Sequence, residues 1–414
     1  MLSKHALSAA AAIAIGSVMV APAAAQVSIN GGVQARLGVL KRSGDTAPGY
    51  DNSTQSVDGL WFLFFNATKD LKGGYNAGFS CNTVATTVDG ANAGFSGEAL
   101  PVHHDWDQFF AGKDNYSQSQ GGFSSYGNSL GDSNGPMCND EVSGYLQTPF
   151  GKFSAGHIMN PMRLLYDGFT VNPVWANQRG YYTVADIRGN ALRYSNSWGP
   201  VNLELQLNTA SDAKAASPAS GHDKAYTVVA TYEPVSGTVF GAGIMDLSGD
   251  TANKYVTAAS PNKHTAVGVS AKTRLGPINV GWTYTGGKNK PTSDFAATYG
   301  QDFIKEYDNT FKLSYDMGSW QFQGFLSREY FGASTGQWGG LYHIVEGPLT
   351  GQTFGQIKIN RTNVDLWALY DMGKDVKTYL RFNTIEKKFT SADLAAFSAT
   401  MRSTKLEGGW LINF

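Results

Sequence analysis

Apolar and polar residues alternate along most of the chain, and this two-residue period is typical of β-strands with two different faces. In VNLELQLN (201–208), aliphatic residues occupy one parity and polar residues occupy the other. The segments INVGWTYT (278–285) and TFKLSYD (310–316) repeat the pattern. Helical periodicity is almost absent, so the pattern predicts an all-β protein.

The connections between these segments alternate strictly between short and long. The short ones contain the Gly, Pro and Asp that tight turns require, and the long ones are polar. Seven short and eight long connections join sixteen strands. We expect strands near 27–40, 58–69, 73–84, 142–149, 152–159, 189–197, 200–209, 224–233, 237–247, 263–274, 277–286, 306–317, 319–331, 357–371, 375–388 and 399–414.

The strand number and lengths predict a membrane barrel. Most spans are near the roughly 9–11 residues with which a tilted strand crosses a bilayer. An even strand count, with short turns at one end and long loops at the other, is typical of outer-membrane barrels. An open sheet would leave unpaired edges in lipid, so the sheet must close around a water-filled interior. A soluble sandwich or propeller is the alternative, but the chain lacks a blade repeat of about forty residues.

Composition agrees with an outer surface that does not face water. Charged residues make up 16% of the chain and aromatic residues 13%, and there are 49 glycines. Soluble domains usually carry about 25% charged residues. The net charge of −1 gives no reason to expect a nucleic-acid partner.

The N-terminal segment 1–25 differs from the rest. It has a short basic start, an apolar run and a small-residue A-x-A end, which predict a secretory signal peptide cleaved after Ala25. An uncleaved anchor helix is the alternative. Residues 26–414 then form one barrel domain. In an exported protein the two cysteines, Cys81 and Cys138, predict a disulfide, and two free thiols are the alternative.

Specific segments resemble Gram-negative general porins of the trimeric, sixteen-stranded class. The first strand is QVSINGGVQARLGVL (26–40), and the last, KLEGGWLINF (405–414), ends in an aromatic residue. YLQTPFGKFSAGHIMNP (145–161) and RGNALRYSNSWGPVNLELQL (188–207) resemble porin strand–turn–strand stretches. Two features depart from the family: His157 stands where Arg is usual, and the connection 85–141 is unusually long.

The resemblance implies a pore for passive diffusion of ions and small hydrophilic solutes across the outer membrane. A substrate-selective, anion-preferring porin and a non-conducting structural or adhesin barrel are the alternatives. It also implies a homotrimer, contact with lipopolysaccharide and outer-membrane lipid, and an assembly machinery that recognises Phe414.

The resemblance further implies that the connection 160–188 folds into the lumen as a constriction. We expect Leu164, Leu165 and Trp175 to pack on the inner wall. Alternation turns several basic residues inward, which gives the lumen wall a basic bias, and Asp167 and Asp186 would face Arg36, Arg193 and Arg381. The candidate lumen and constriction residues are Arg36, His157, Arg163, Asp167, Arg179, Asp186, Arg188, Arg193, Arg381 and Lys405.

The sequence offers little support for a reaction centre. G-x-S-x-G strings occur at 127–131, 131–135 and 332–336, but the all-β pattern gives none of them the strand–turn–helix setting of a nucleophile elbow. No Gly-rich phosphate loop occurs, so we expect neither an enzyme nor a cofactor. The HHDWD cluster (103–107) lacks repeated ligand spacing, which favours a solvated loop over a metal site. One residue, Leu411, violates the alternation of the last strand.

Overall fold

The computed structural model describes residues 26–44, 53–86, 138, 141–165, 188–208, 226–246, 263–290, 304–337, 353–391 and 398–414. These residues form sixteen strands and a short 3₁₀-helix, Pro161–Leu165, which follows β5. Among the described residues, no helix is long and apolar enough to cross a membrane. The strands are β1 Gln26–Gly44, β2 Ser53–Lys72, β3 Tyr75–Thr86, β4 Glu141–Thr148, β5 Gly151–Met159, β6 Arg188–Trp198, β7 Val201–Asn208, β8 Tyr226–Val235, β9 Thr238–Asp246, β10 Lys263–Leu275, β11 Ile278–Lys290, β12 Ile304–Met317, β13 Trp320–Gln337, β14 Thr353–Gly373, β15 Val376–Ser391 and β16 Ser398–Asn413.

The sheet is a closed antiparallel barrel. Each strand pairs with its sequence neighbours, and β16 pairs with β1 from Gly32↔Asn413 to Gly44↔Met401. The all-β, sixteen-stranded barrel is therefore confirmed. Several strands are longer than the alternation predicted. β2, β13 and β14 continue into polar sequence at the long-loop end, because ladder hydrogen bonds need no apolar side chains once a strand leaves the lipid.

The short connections are tight turns that all lie at one end of the barrel. At Gly199 and Gly276 the φ angles are +56° and +60°, a region that disfavours any side chain. Phe414 lies at the same end, where its backbone N–H and C=O exchange hydrogen bonds of 2.9 Å with Gly31. The chain terminus thus completes the seam between β16 and β1.

Exposure alternates along the strands and separates two faces. On β10, Val267 and Val269 are exposed, whereas Ala266 and Ser270 are buried. The exposed parity is apolar, as expected for a wall that faces lipid. The buried parity carries most of the polar and charged residues and faces the barrel interior.

Leu411 fits this alternation, contrary to the sequence expectation. On β16, Leu406, Trp410 and Ile412 are exposed, while Leu411 is only 2% exposed. Its register partners are Gln34 on β1 and Lys377 on β15. Leu411 is therefore an apolar residue on the inner face, and the strand continues without a break.

Candidate pore interior

The 3₁₀-helix packs on the inner wall through two fully buried side chains, Met162 and Leu165. The wall beneath them contains Gly241, Gly243 and Gly268, on β9 and β10. A Cβ atom on Gly243 would lie 2.6 Å from Met162 Sδ, and one on Gly268 would lie 2.6 Å from Leu165 Cδ1. These glycines form a socket, because any larger residue would occupy the space that the helix fills.

Polar contacts fix both ends of this helix. At its start, the Asn160 side chain accepts a hydrogen bond from Met162 N (2.9 Å) and donates one to Thr227 Oγ1 (2.8 Å). Asn is a favoured helix N-cap for this reason. At its end, Thr283 Oγ1 donates to the Leu165 carbonyl (2.9 Å). The helix is thereby tied to β8 on one side and β11 on the other.

A cavity of about 630 Å³ lies between this helix and the short turns. Four charged residues line it, Lys152, Glu204, Glu233 and Lys272, so its formal charge is balanced. Each of them lies within four residues of a short turn. The other lining residues are Gln147, Leu164, Ser195, Asn196, Ser197, Asn202, Thr231, Val239 and Ser270.

Arg193 on β6 is held by its neighbours on β7. Its Nε and terminal NH2 groups donate to Gln206 Oε1 at 3.0 and 2.8 Å, and Nε lies 3.7 Å from Glu204 Oε2. Ser195 Oγ donates to the same Glu204 oxygen (2.7 Å). The guanidinium at this edge of the cavity is therefore partly neutralised.

Arg381 on β15 forms a buried bidentate pair with Asp365 on β14. Its Nε donates to Oδ1 and its terminal NH2 group donates to Oδ2, both at 2.9 Å. The guanidinium also lies 4.8 Å from the centre of the Trp367 ring. Both partners are almost completely buried, so breaking the pair would leave an uncompensated buried charge.

A second buried pair, Lys405 and Glu407, lies on β16. The other carboxylate oxygen of Glu407 accepts a hydrogen bond of 2.8 Å from the Tyr379 hydroxyl. That hydroxyl in turn accepts one of 2.9 Å from Gln34 Nε2 on β1. The network therefore joins β15, β16 and β1 from the inside of the barrel.

Comparison with known proteins identifies the family. The family model for Gram-negative porins matches residues 6–390. The chain belongs to the Gram-negative porin family. No curated protein matches the chain.

Solved porins share the fold at low sequence identity. A loop-deletion mutant of OmpT from Vibrio cholerae is 13% identical, with a TM-score of 0.56 over 94% of this chain and 100% of that one. An anion-selective porin from Comamonas acidovorans is 12% identical, with the same TM-score and coverage. OmpF of Salmonella typhi, in complex with daunomycin, is 10% identical, with a TM-score of 0.52 over 94% and 97% of the two chains.

Membership of the family establishes what kind of protein this is. It is an outer-membrane β-barrel that provides a channel for passive diffusion of solutes, and porins are typically trimers. The expectations about family, fold and channel function are confirmed. The family and the fold are those of a channel rather than an enzyme.

The predicted lumen residues fall into three groups. Arg193, Arg381 and Lys405 lie on the inward parity, and each is close to an acidic residue. The alternation indicated these basic residues but not the partner of Arg381. Asp365 is its diagonal neighbour across the β14–β15 ladder, where Arg381 is paired with Trp367 and Asp365 with Asn383. The basic bias of this porin's wall is therefore offset locally.

His157 lies on β5 and Arg188 on β6, and their side chains are outside the described part of the structure. In the strand register His157 is opposite Val142 and Asn190, and Arg188 is opposite Met159. Their place in the lumen stays a prediction.

Other predicted positions are only partly described. Arg163 lies half-buried in the 3₁₀-helix, and Leu165 packs on the wall as expected, but Leu164 is 41% exposed and borders the cavity. Arg36 lies on β1, and its side chain is outside the described part of the structure. Also outside the described residues are Asp167, Trp175, Arg179, Asp186 and the HHDWD segment 103–107.

The two cysteines form the predicted disulfide, which closes a separation of 57 residues. Cys81 shares its parity with Phe79, and Phe79 packs edge-on against Phe65 on the outer face. The backbone N–H of Cys138 donates to Thr83 Oγ1 (2.8 Å). The disulfide and this hydrogen bond therefore hold Cys138, three residues before β4, against the outer side of β3.

Proposed function

We propose that the protein is a general diffusion porin with weak charge selectivity. The observation that supports this is the pairing of inner-wall charges: Arg193 with Glu204, Arg381 with Asp365, and Lys405 with Glu407. Selectivity in a pore follows from the field of its lining groups. Paired charges produce dipoles rather than a net field, so neither anions nor cations gain a large advantage.

The reversal potential in a KCl gradient tests this proposal. We expect wild-type protein in planar bilayers to favour neither ion by more than about threefold, because the wall charges cancel. Glu204→Gln removes one acid from the half-buried pair and should shift the potential toward chloride. A strong wild-type preference for chloride would instead support the anion-preferring alternative.

A transverse field at the constriction is part of the same proposal. Asp167 and Asp186, in the segment that follows the 3₁₀-helix, would oppose Arg36 and Arg193 across the opening. Arg381 would not take part, because it is buried against Asp365. The docking of Met162 and Leu165 in the glycine socket supports an inward course for this segment. Neutralising both aspartates should change ion selectivity, and unchanged selectivity would count against the field.

Export and assembly use the two chain ends. Residues 1–25 would be removed as a signal peptide, and Phe414 would serve as the signal that the barrel-assembly machinery recognises. Phe414 is 66% exposed, while its backbone is paired with Gly31. Deleting Phe414 should lower the amount of folded trimer in the outer membrane and leave export to the periplasm intact. Normal trimer levels would contradict this role.

Contacts at the outer rim complete the proposal. Arg328 and Arg402 are exposed on the outward parity, beyond the apolar rows of β13 and β16. Phosphate groups of lipopolysaccharide are suitable ligands for such residues. Phosphate-dependent protection of these arginines from a guanidine-modifying reagent, in vesicles containing lipopolysaccharide, would support the contact.

A further inference from the structure

We propose that the cavity between the 3₁₀-helix and the short turns is a weak binding site for small zwitterionic solutes of about dipeptide length. Lys152 would bind the carboxylate and Glu233 would bind the ammonium group. The inference rests on the proposed diffusion function, because the solute must reach this part of the lumen through the pore.

Lys152 and Glu233 are both held in place without an opposite charge. Lys152 Nζ lies 4.1 Å from the centre of the Tyr145 ring, and the Tyr145 hydroxyl shares a hydrogen bond of 2.7 Å with Thr68 Oγ1. Glu233 Oε1 accepts a hydrogen bond of 2.9 Å from Gly237 N. Among the described residues, neither charge has an ion-pair partner. A fixed charge with a free coordination position costs little entropy when it binds a ligand.

The other acid of the cavity is already engaged. Glu204 accepts from Ser195 and lies next to Arg193, so it has less capacity for a solute ammonium group. Lys272 on β10 also lines the cavity and is already engaged with another group of the protein. This leaves Lys152 on β5 and Glu233 on β8 as the charged groups with capacity for a solute.

Lys152 is level with Val229 on β8, four residues from Glu233. Three strand spacings and four residues along the strand place the two Cα atoms roughly 19 Å apart along the wall. Both side chains line the cavity, and groups that point inward from a curved wall lie closer together than their Cα atoms, so the spacing suits a dipeptide better than a single amino acid.

The remaining lining suits a peptide group. Gln147, Asn202, Thr231 and Ser270 offer amide and hydroxyl groups around the same cavity. Its volume of about 630 Å³ falls within the range of roughly 300–1,000 Å³ found for small-molecule sites. The partly exposed setting weakens each charge interaction, so we expect saturation in the millimolar range rather than tight binding.

Ion-current reduction in planar bilayers tests the site. The probe is glycylglycine at pH 7, and the matched controls are N-acetylglycine, which is anionic, and glycinamide, which is cationic. Glycylglycine should reduce the single-channel current saturably, at about tenfold lower concentration than either control, which is the effect of one added charge contact. Lys152→Gln and Glu233→Gln should each remove this advantage. Lys374→Gln, in an exposed short turn outside the cavity, should leave it unchanged.

The outcomes separate this inference from the channel itself. Normal current steps that glycylglycine reduces no better than its controls would overturn the zwitterion site and leave the diffusion function standing. Equal reduction by N-acetylglycine would show a simple anion site at Lys152 and would also overturn it. Absence of current steps from folded wild-type protein would overturn the diffusion function.

Discussion

Two parts of the inner wall are built in opposite ways. On β9 and β10 the inner face carries Gly241, Gly243 and Gly268, and the missing side chains make room for the 3₁₀-helix. From β14 to β16 the inner face carries charged side chains that pair with one another, Arg381 with Asp365 and Lys405 with Glu407. The glycine wall packs against the 3₁₀-helix, whereas the charged wall fills the neighbouring part of the interior with its own side chains.

The difference shows how a sixteen-stranded barrel divides its interior. A barrel of this size leaves a channel unless something occupies it. The glycine wall determines where the channel is narrowed, and the charged wall adds bulk with little net charge. The open cavity lies next to the glycine wall. We therefore expect changes on the charged wall to affect stability and changes on the glycine wall to affect conduction.

The largest effect is expected from Asp365→Asn. It leaves the guanidinium of Arg381 buried without its charge partner, which typically costs about 3–5 kcal/mol. Urea unfolding in lipid vesicles, followed by tryptophan fluorescence, measures the change. A variant as stable as the wild type would show that water already solvates Arg381, and the charged wall would then be part of the open channel.

A smaller effect is expected from Gly243→Ala. The new Cβ would approach Met162 Sδ to 2.6 Å, and overpacking of this kind costs about 1–3 kcal/mol. Single-channel recording should show larger or more variable conductance, because the helix is displaced from its socket. Gly324→Ala is the matched control, since its Cβ would meet only Leu366 at 3.6 Å. Equal behaviour of the two variants would contradict the socket.

Tyr379→Phe tests the inner side of the seam. Removing the hydroxyl leaves Gln34 and Glu407 without their shared partner, at a cost of about 1–3 kcal/mol. The variant should unfold at lower urea concentration with unchanged ion selectivity, because no charge is altered. Tyr370→Phe, on the outward parity of β14, is the control. A selectivity change in Tyr379→Phe would place this hydroxyl in the conduction path.

The smallest effect is expected from Glu386→Gln. Its ion pair with Arg402 is exposed on the outer face, and exposed pairs contribute about 0–1 kcal/mol. Comparison with Asp365→Asn under identical conditions measures how strongly burial changes the contribution of an ion pair to the free energy of unfolding. Similar losses of unfolding free energy in the two variants would contradict the assignment of Asp365 to the inner face and Glu386 to the outer face.

Much of the fold could be predicted from the sequence, because period-two alternation and turn residues act locally. The ion pairs could not, since Asp365 and Arg381 become neighbours only through the register of β14 and β15. The glycine socket was also missed, because inner-face glycines look the same in the sequence as glycines of turns.

Single-channel recording of purified wild-type protein in planar bilayers tests the central claim most directly. A water-filled lumen predicts discrete current steps that grow in proportion to voltage and to KCl concentration, with little preference between the two ions. Folded barrels that insert into the bilayer without producing current steps would contradict the claim, and would favour a structural or adhesive role.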